Sequence, residues 1–492
     1  MSGLSRRAVL TAGVSGLLLP SLTYDFEQAK KGRKPKNVIF MVADGMSVGT
    51  LSIADQFLFL TQNRRSFWQG LLADPNATRG FQETRSLNSL VTDSAAASSA
   101  WGSGRHVWNG AINAYPDGTE LTPLCALLGE KQVRRGLVTT TSLTDATPAG
   151  FAVSHGTHEE EEAIALKLLR SGVEVLLGGG DRFFASDRRK DGRDLYADFA
   201  RANYRVAKSR SELLAAPTGN LFGVFAPTNI PYAVDRAHSP ELAAVMPPLP
   251  EMARIAVERL NGGREGFFLM IEGGRIDHGA HANDLAALVY DQIEFDETLR
   301  IAVDFALREK ETLVIVTTDH GTANPGLRGG GDGLREAEQG LLALAGMKGS
   351  YESFLNSEPL NVSVYDAMVK GRQIGAAFDS LVPIIRDVLG IELTATEAAF
   401  VLDALNGRGA IKDAPKTSML ALALGNHTHV GWNGNEHTSD LAVLSAIGPG
   451  AEAFEGVWEN TAIFDILLSF KGMKHENPSM TVEEAVRYKA PR

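Results

Sequence analysis

The sequence predicts an α/β fold with a mostly parallel central sheet and helices on both faces. Three observations carry that prediction. Short apolar runs rich in β-branched residues recur between helical patterns. The runs are continuously apolar, as strands buried on both faces are. Four of them are followed within a few residues by a carboxylate, at the strand ends where open α/β sheets bind ligands.

In chain order the runs are 38–43, 137–141, 173–177, 267–271, 313–317 and 441–446. Asp44 follows the first, Asp145 the second, Glu272 the fourth and Asp319 the fifth. Four like charges converging on one crevice would need cations to neutralise them. From Gly326 to about Val430 the character changes, with a glycine-rich stretch at 329–333 and helical patterns at 376–389 and 396–405. This span, 326–430, reads as an insertion within a catalytic domain of residues 37–475, followed by a C-terminal tail, 476–492. No internal repeat, long low-complexity tract or second hydrophobic span is present.

The chain has 492 residues, 44% hydrophobic and 22% charged, as ordinary soluble enzymes do. Its net charge of −11 argues against a general nucleic-acid or anionic-membrane binder, which needs clustered Lys and Arg. Residues 1–36 open with Ser5-Arg6-Arg7-Ala8-Val9-Leu10 and an apolar stretch to Leu19, which reads as a signal for twin-arginine export machinery. That stretch is too short for a permanent membrane span, and no A-x-A cleavage site precedes Lys30. Removing residues 1–36 would leave 41 basic and 57 acidic side chains, a net charge of −16. Cys125 is the only cysteine, so no intramolecular disulfide can form; it reads as a buried small hydrophobe. Folding in a reducing cytosol before export accounts for a secreted chain without disulfides.

Three motifs carry chemistry. Asp93-Ser94 precedes the small-residue helical run Ala95-Ala96-Ala97-Ser98-Ser99, where free backbone N–H groups and the helix dipole favour an anion. A serine there is either a helix cap or a nucleophile for phosphorus. In Glu272-Gly273-Gly274-Arg275-Ile276-Asp277-His278-Gly279-Ala280-His281, Asp277 and His281 share one helical face as oxygen and nitrogen ligands, and the two glycines would allow a tight turn at a strand end. Thr318-Asp319-His320-Gly321 adds an Asp-His pair after a strand, and His437 a further imidazole.

In Ala43-Asp44-Gly45-Met46, Val91-Thr92-Asp93-Ser94-Ala95-Ala96, Asp145-Ala146-Thr147-Pro148-Ala149, the segments around Glu272 and Asp319, and Glu436-His437-Thr438, the chain resembles the alkaline phosphatase family, motif by motif and in the family's order. The resemblance covers most of the chain after residue 36 and implies an alkaline-phosphatase-like fold. It implies two Zn2+ and one Mg2+. Asp277, His281 and His437 would bind the first zinc, and Asp44, Asp319 and His320 the second. Asp44, Thr147 and Glu272 would form the magnesium site, with Asp145 and His278 close to it. Ser94 is then the nucleophile, and phosphate monoesters are cleaved through a phosphoserine by double in-line displacement.

One position departs from the family. Where the family places an arginine that clamps phosphate, this chain has His158, in Ser154-His155-Gly156-Thr157-His158-Glu159. Imidazole cannot make the bidentate guanidinium contact. Arg105 and His155 are candidate substitutes. The resemblance implies small phosphate monoesters as substrates, handled by a periplasmic or secreted enzyme, whereas the absence of the clamping arginine favours the rival enzymes below. A phosphodiesterase or sulfatase on the same metal core, and a metal-bearing phosphate-binding protein without turnover, are the rival readings. The resemblance also carries the expectation of a homodimer.

Overall fold

The computed structural model describes residues 33–329, 336–356, 378–405 and 416–488. The middle of the fold follows from residues that tolerate burial on both faces. Along β1 (Asn37–Val42), Val38, Phe40 and Val42 enter one apolar core while Ile39 and Met41 enter another on the opposite face. Each fully buried side chain of this size contributes about 1.5–3 kcal/mol. Phe40 is wedged between the rings of Trp101 and Phe151, at 5.3 and 5.5 Å between centroids.

The remaining strands are β2 (Thr78–Glu83), β3 (Arg134–Ser142), β4 (Val175–Gly179), β5 (Arg205–Ala207), β6 (Leu221–Val224), β7 (Phe267–Glu272), β8 (Thr312–Thr317), β9 (Gly321–Thr322), β10 (Gly326–Leu327), β11 (Val430–Gly431), β12 (His437–Thr438), β13 (Ala442–Ile447) and β14 (Gly456–Glu459). Ten of them form one sheet in the order β14-β2-β13-β8-β1-β7-β3-β4-β6-β5. Only β13 runs antiparallel to its neighbours. The sheet is α/β and mostly parallel, as expected.

All six apolar runs are strands. The four sheet strands that sequence reading did not identify, β2, β5, β6 and β14, lie at the two ends of the sheet and are short or polar. Central β8-β1-β7-β3 are consecutive neighbours, and these four precede the carboxylates Asp319, Asp44, Glu272 and Asp145. The carboxylates therefore share one end of the sheet.

Antiparallel pairing of β10 with β11 brings together the two ends of the span 326–430. Within it, helices such as Ala337–Leu342, Phe378–Leu389, Ala395–Leu405 and Lys416–Thr428 bury a third apolar cluster. That cluster packs on Ile53 and Phe57 of the helix Val48–Gln62 and on Ala286 and Val289 of the helix Leu285–Arg308. Residues 1–32 of the expected export leader, 330–333 of the glycine-rich stretch and 376–377 of the expected helix lie outside the described residues.

Two terminal segments are bound to the body. Lys36 N–H donates to the Glu311 carbonyl at 2.8 Å, and Lys34 Nζ to the Ser469 carbonyl at 2.8 Å. The segment from residue 476 is no loose tail over its described part. Asn477 is buried, donates to the carbonyls of Ser103 and Thr122 at 2.9 and 3.0 Å, and accepts from Thr122 N–H at 2.7 Å. Cys125 is fully buried, and burial pushes its thiol up to about 12. No described helix is long and apolar enough to cross a membrane.

Candidate active site

Ser94 opens the helix Ser94–Ser103, capped by Asp93, whose carboxylate accepts from Ala96 N–H at 2.9 Å and from Gly110 N–H. That leaves Ser94 Oγ at the positive end of the helix, 3.2 Å from His320 Nε2. His320 follows Asp319 just beyond β8, and both are fully buried. Asp319 Oδ1 accepts from the N–H groups of Gly45 and His320, each at 3.0 Å. Its other oxygen, Oδ2, lies 3.0 Å from His320 Nε2 but makes no hydrogen bond. Asp44 Oδ1 is likewise buried without a hydrogen-bond partner.

Asp277, His281 and His437 form a group whose ligand atoms lie within 4.8 Å of one another, and Asp44, Asp277 and His320 form a second. Asp277 thus stands between the two sets, more shared than the family resemblance alone implies. Gly45 permits this closure: it has φ +65°, and a Cβ there would sit 2.3 Å from Asp277 Oδ1. Gly273 and Gly274 act differently from the tight turn expected of them. Neither has a positive φ, and a Cβ on Gly274 would meet the Thr141 methyl at 2.5 Å, so close packing is the reason for glycine.

The tautomers of three imidazoles follow from their Nδ1 partners. His281 Nδ1 faces the Asn435 carbonyl, and His437 Nδ1 faces the Thr92 carbonyl at 2.9 Å. Thr322 Oγ1 donates its one proton to Asp277 Oδ1 at 2.6 Å, so it accepts from His320 Nδ1 at 3.2 Å. All three rings then carry the proton on Nδ1 and turn an Nε2 lone pair inward. His281 Nε2 and His437 Nε2 face each other at 2.9 Å, where two lone pairs repel unless a cation sits against them.

The third group lies behind Asp44. Thr147 Oγ1 is 3.4 Å from Asp44 Oδ2, and Glu272, the last residue of β7, accepts from Thr139 and Thr141 hydroxyls of β3. Asp145 caps the helix Ala146–Ala152 through Ala146 N–H at 2.7 Å, and its charge acts on both Glu272 and His278. His278 Nδ1 lies 3.0 Å from Arg275 Nη1.

The electrostatics are those of an anionic pocket. Burial first, then the charges of Asp319, Asp277 and Glu272, push the Asp44 carboxyl well above its ordinary range. Burial, then Asp145, pushes Glu272 up to about 7. Burial opposes ionisation of Asp277 too, but His281, His437 and His320, when protonated in the absence of a cation, outweigh it and hold that carboxyl well below the usual range. Among the described residues, the ion-pair partners of Asp44, Asp277 and Asp319 are all histidines. Unpartnered carboxylate oxygens, inward lone pairs and mutual repulsion are what a multi-cation site requires, so the donor set fits zinc at the imidazole-bearing groups and magnesium at the oxygen-only one.

The alkaline phosphatase family model matches residues 35–473. The chain belongs to the alkaline phosphatase family. It is 30% identical over 449 residues to alkaline phosphatase 3 of Bacillus subtilis, covering 89% of each chain. The crystal structure of Thermus thermophilus alkaline phosphatase superposes with a TM-score of 0.84 at 33% identity, covering 99% of both chains. A cold-active alkaline phosphatase from Shewanella sp. shares the fold, with a TM-score of 0.72 at 23% identity, 88% of this chain and 99% of that one. The enzyme hydrolyses phosphate monoesters, and its family is metal-dependent.

His158 sits on a loop tied to the start of the helix Ser94–Ser103: its N–H donates to the Gly110 carbonyl at 2.8 Å, and Gly110 N–H in turn donates to Asp93. The two candidate substitutes for the missing arginine are engaged elsewhere. Arg105 donates to the carbonyls of Asn477 and Pro478, and His155 Nε2 lies 2.8 Å from Glu160. Sequence reading missed Thr322, Arg275 and Thr139. Thr322 stands one residue past the Asp-His-Gly motif, and Thr139 faces Glu272 in the β3·β7 register, so adjacency was the available signal.

Proposed function

We propose that the enzyme cleaves phosphate monoesters to alcohol and inorganic phosphate through a phosphoserine on Ser94, at a site for two zinc ions and one magnesium ion. The observation that carries this reading is Ser94 Oγ at a capped helix N-terminus, 3.2 Å from His320 Nε2 and beside two donor groups that share Asp277. Asp277, His281 and His437 would hold the first zinc, Asp44, Asp319 and His320 the second, and Asp44, Thr147 and Glu272 the magnesium. When bound, such ions lower the pKa of hydroxyl and water and neutralise charge on the leaving oxygen.

Ser94 Oγ attacks phosphorus in line as its proton passes to water, the ester P–O bond breaks, and the leaving oxygen takes a proton from water and departs as the alcohol. Backbone N–H groups at the start of the helix Ser94–Ser103 face the phosphoryl oxygens. Water then attacks from the side the alcohol left, the P–Oγ bond breaks and phosphate is released, so configuration at phosphorus is retained. His158 would stand toward the phosphate, and Asp145 and His278 would line the magnesium side.

Acid-quenched enzyme, digested and mapped, should carry phosphate on Ser94; phosphate on Ser98 or Thr92 would overturn the assignment. Exhaustive chelation should abolish turnover, and zinc with magnesium should restore it. Full activity without metal would refute the ligand set. Rates on a monoester, a diester and a sulfate ester separate the phosphomonoesterase from its rivals. We further infer export by the twin-arginine route to the periplasm or medium, a homodimer, and a catalytic domain spanning 37–475 with the insertion 326–430 inside it. The Arg6-Arg7 leader supports the export route and the β10·β11 closure the insertion, while the homodimer rests on the family resemblance.

A further inference from the structure

Four histidines stand at this site, and what faces Nδ1 sorts them into two kinds. His281, His320 and His437 have an acceptor at Nδ1, which leaves Nε2 free to ligate. His278 is the reverse. Its Nδ1 lies 3.0 Å from Arg275 Nη1, and a guanidinium only donates. The Asn229 amide nitrogen lies 3.5 Å from the same atom, and the amide's orientation is fixed because its oxygen accepts from Ser142 N–H at 3.0 Å. With donors alone at Nδ1, the ring proton must sit on Nε2.

Arg275 is itself held from three sides. It is buried, its guanidinium carbon lies 3.6 Å above the Tyr232 ring, and Nη2 donates to Glu352 Oε2 at 2.6 Å. Glu352 belongs to the helix Tyr351–Asn356 of the inserted span, and its neighbours anchor that helix: Ser350 N–H donates to Asp235 at 2.7 Å and Tyr351 N–H to Asp284. The inserted span thus reaches the magnesium side of the site through one ion pair.

We propose that Arg275, braced by Glu352, is a positioning residue that keeps His278 in the Nε2–H tautomer, so that His278 meets the third site as a hydrogen-bond donor and never as a ligand. The third donor set then keeps only oxygen atoms, from Asp44, Thr147 and Glu272, and takes magnesium in preference to zinc. This rests on the three-metal reading above. Moving the proton to Nδ1 to free Nε2 would point an N–H at two donors, which is what excludes zinc.

The tautomer is read directly by 15N NMR of histidine-labelled, metal-loaded enzyme, with the His278 signals assigned by their loss in His278→Asn. Pyridine-type Nδ1 and pyrrole-type Nε2 are expected; a pyrrole-type Nδ1 would overturn the proposal. Metal content is the second readout, after equilibration with excess zinc and magnesium together. The parent should hold two zinc ions and one magnesium, Arg275→Met should exchange the magnesium for a third zinc, and Arg275→Lys, which keeps a donor, should retain magnesium. Magnesium retained in Arg275→Met would refute the selectivity. Should Arg275→Met fail to fold, Glu352→Gln at the half-exposed partner should raise third-site zinc relative to the parent, and an unchanged ratio refutes the brace. A parent that holds no third metal, with His278 still Nε2-protonated, would refute the three-metal reading and leave the tautomer standing.

Discussion

Thr322→Val isolates a residue that touches two donor sets and no substrate. The side chain is fully buried, and the change conserves its volume while deleting one hydroxyl. Two interactions go. The first is the 2.6 Å bond donated to the Asp277 carboxylate, of a charged type that contributes about 1.5–3 kcal/mol. The second is the acceptor for His320 Nδ1, whose buried N–H is then orphaned at a cost of about 1–3 kcal/mol. Without that acceptor the His320 proton is free to move to Nε2, which removes the lone pair that faces Ser94. Outer hydrogen-bond partners of this kind govern about 10–100-fold in metal affinity. Zinc affinity measured by chelator competition should fall by that factor, and Thr322→Ser should restore it. Parental zinc affinity in Thr322→Val would show that Thr322 orients neither ligand and that the deduced His320 tautomer is wrong.

His158→Arg should tighten inhibition by inorganic phosphate about tenfold or more, since a charge-assisted bond contributes about 1.5–3 kcal/mol, with diesters gaining less; an unchanged inhibition constant at equal metal content would mean that the side chain faces away from phosphate. Asn477→Ala removes three hydrogen bonds of a buried side chain that pin the C-terminal segment, and urea unfolding should show a loss of about 2–4 kcal/mol. Asp296, which accepts from Phe67 and Trp68 N–H at 2.7 and 2.9 Å, is pushed up to about 7 by burial. Its folded pKa lies above the unfolded value of about 3.9, so its contribution is full below pH ~4 and is lost as pH rises through about 7. Asp296→Asn should therefore flatten the fall in stability across that window at matched metal content, and a parallel profile would contradict the shift.

The sheet's centre was legible because strands buried on both faces must be continuously apolar, as 267–271 and 313–317 are. Its ends were not, because β2 and β14 draw their pairing from β13 and from each other, and sequences such as Thr-Arg-Gly-Phe-Gln-Glu carry no such mark. The donor residues stood out through strand-end carboxylates and Asp/His spacing. Arg275 lay within a motif already singled out, yet its bond to Glu352 spans 77 positions and exists only after folding. Gly274 misled for a similar reason: the side chain it makes room for, Thr141, comes from another strand.

The β10·β11 pair has a consequence for how this enzyme can vary. The register places Gly326 opposite Gly431 and Leu327 opposite Val430, so the chain departs from and rejoins the catalytic body at one gate. Closure at that gate is made by four residues, and the length of chain beyond it then matters little: doubling a flexible excursion costs about 0.6 kcal/mol. The span can therefore change length between its helices without shifting the register of any strand that carries a donor, so long as the helices packed on Ile53, Phe57, Ala286 and Val289 remain. Its freedom is bounded at Ser350–Glu352, where Asp235, Asp284 and Arg275 moor it beside the site.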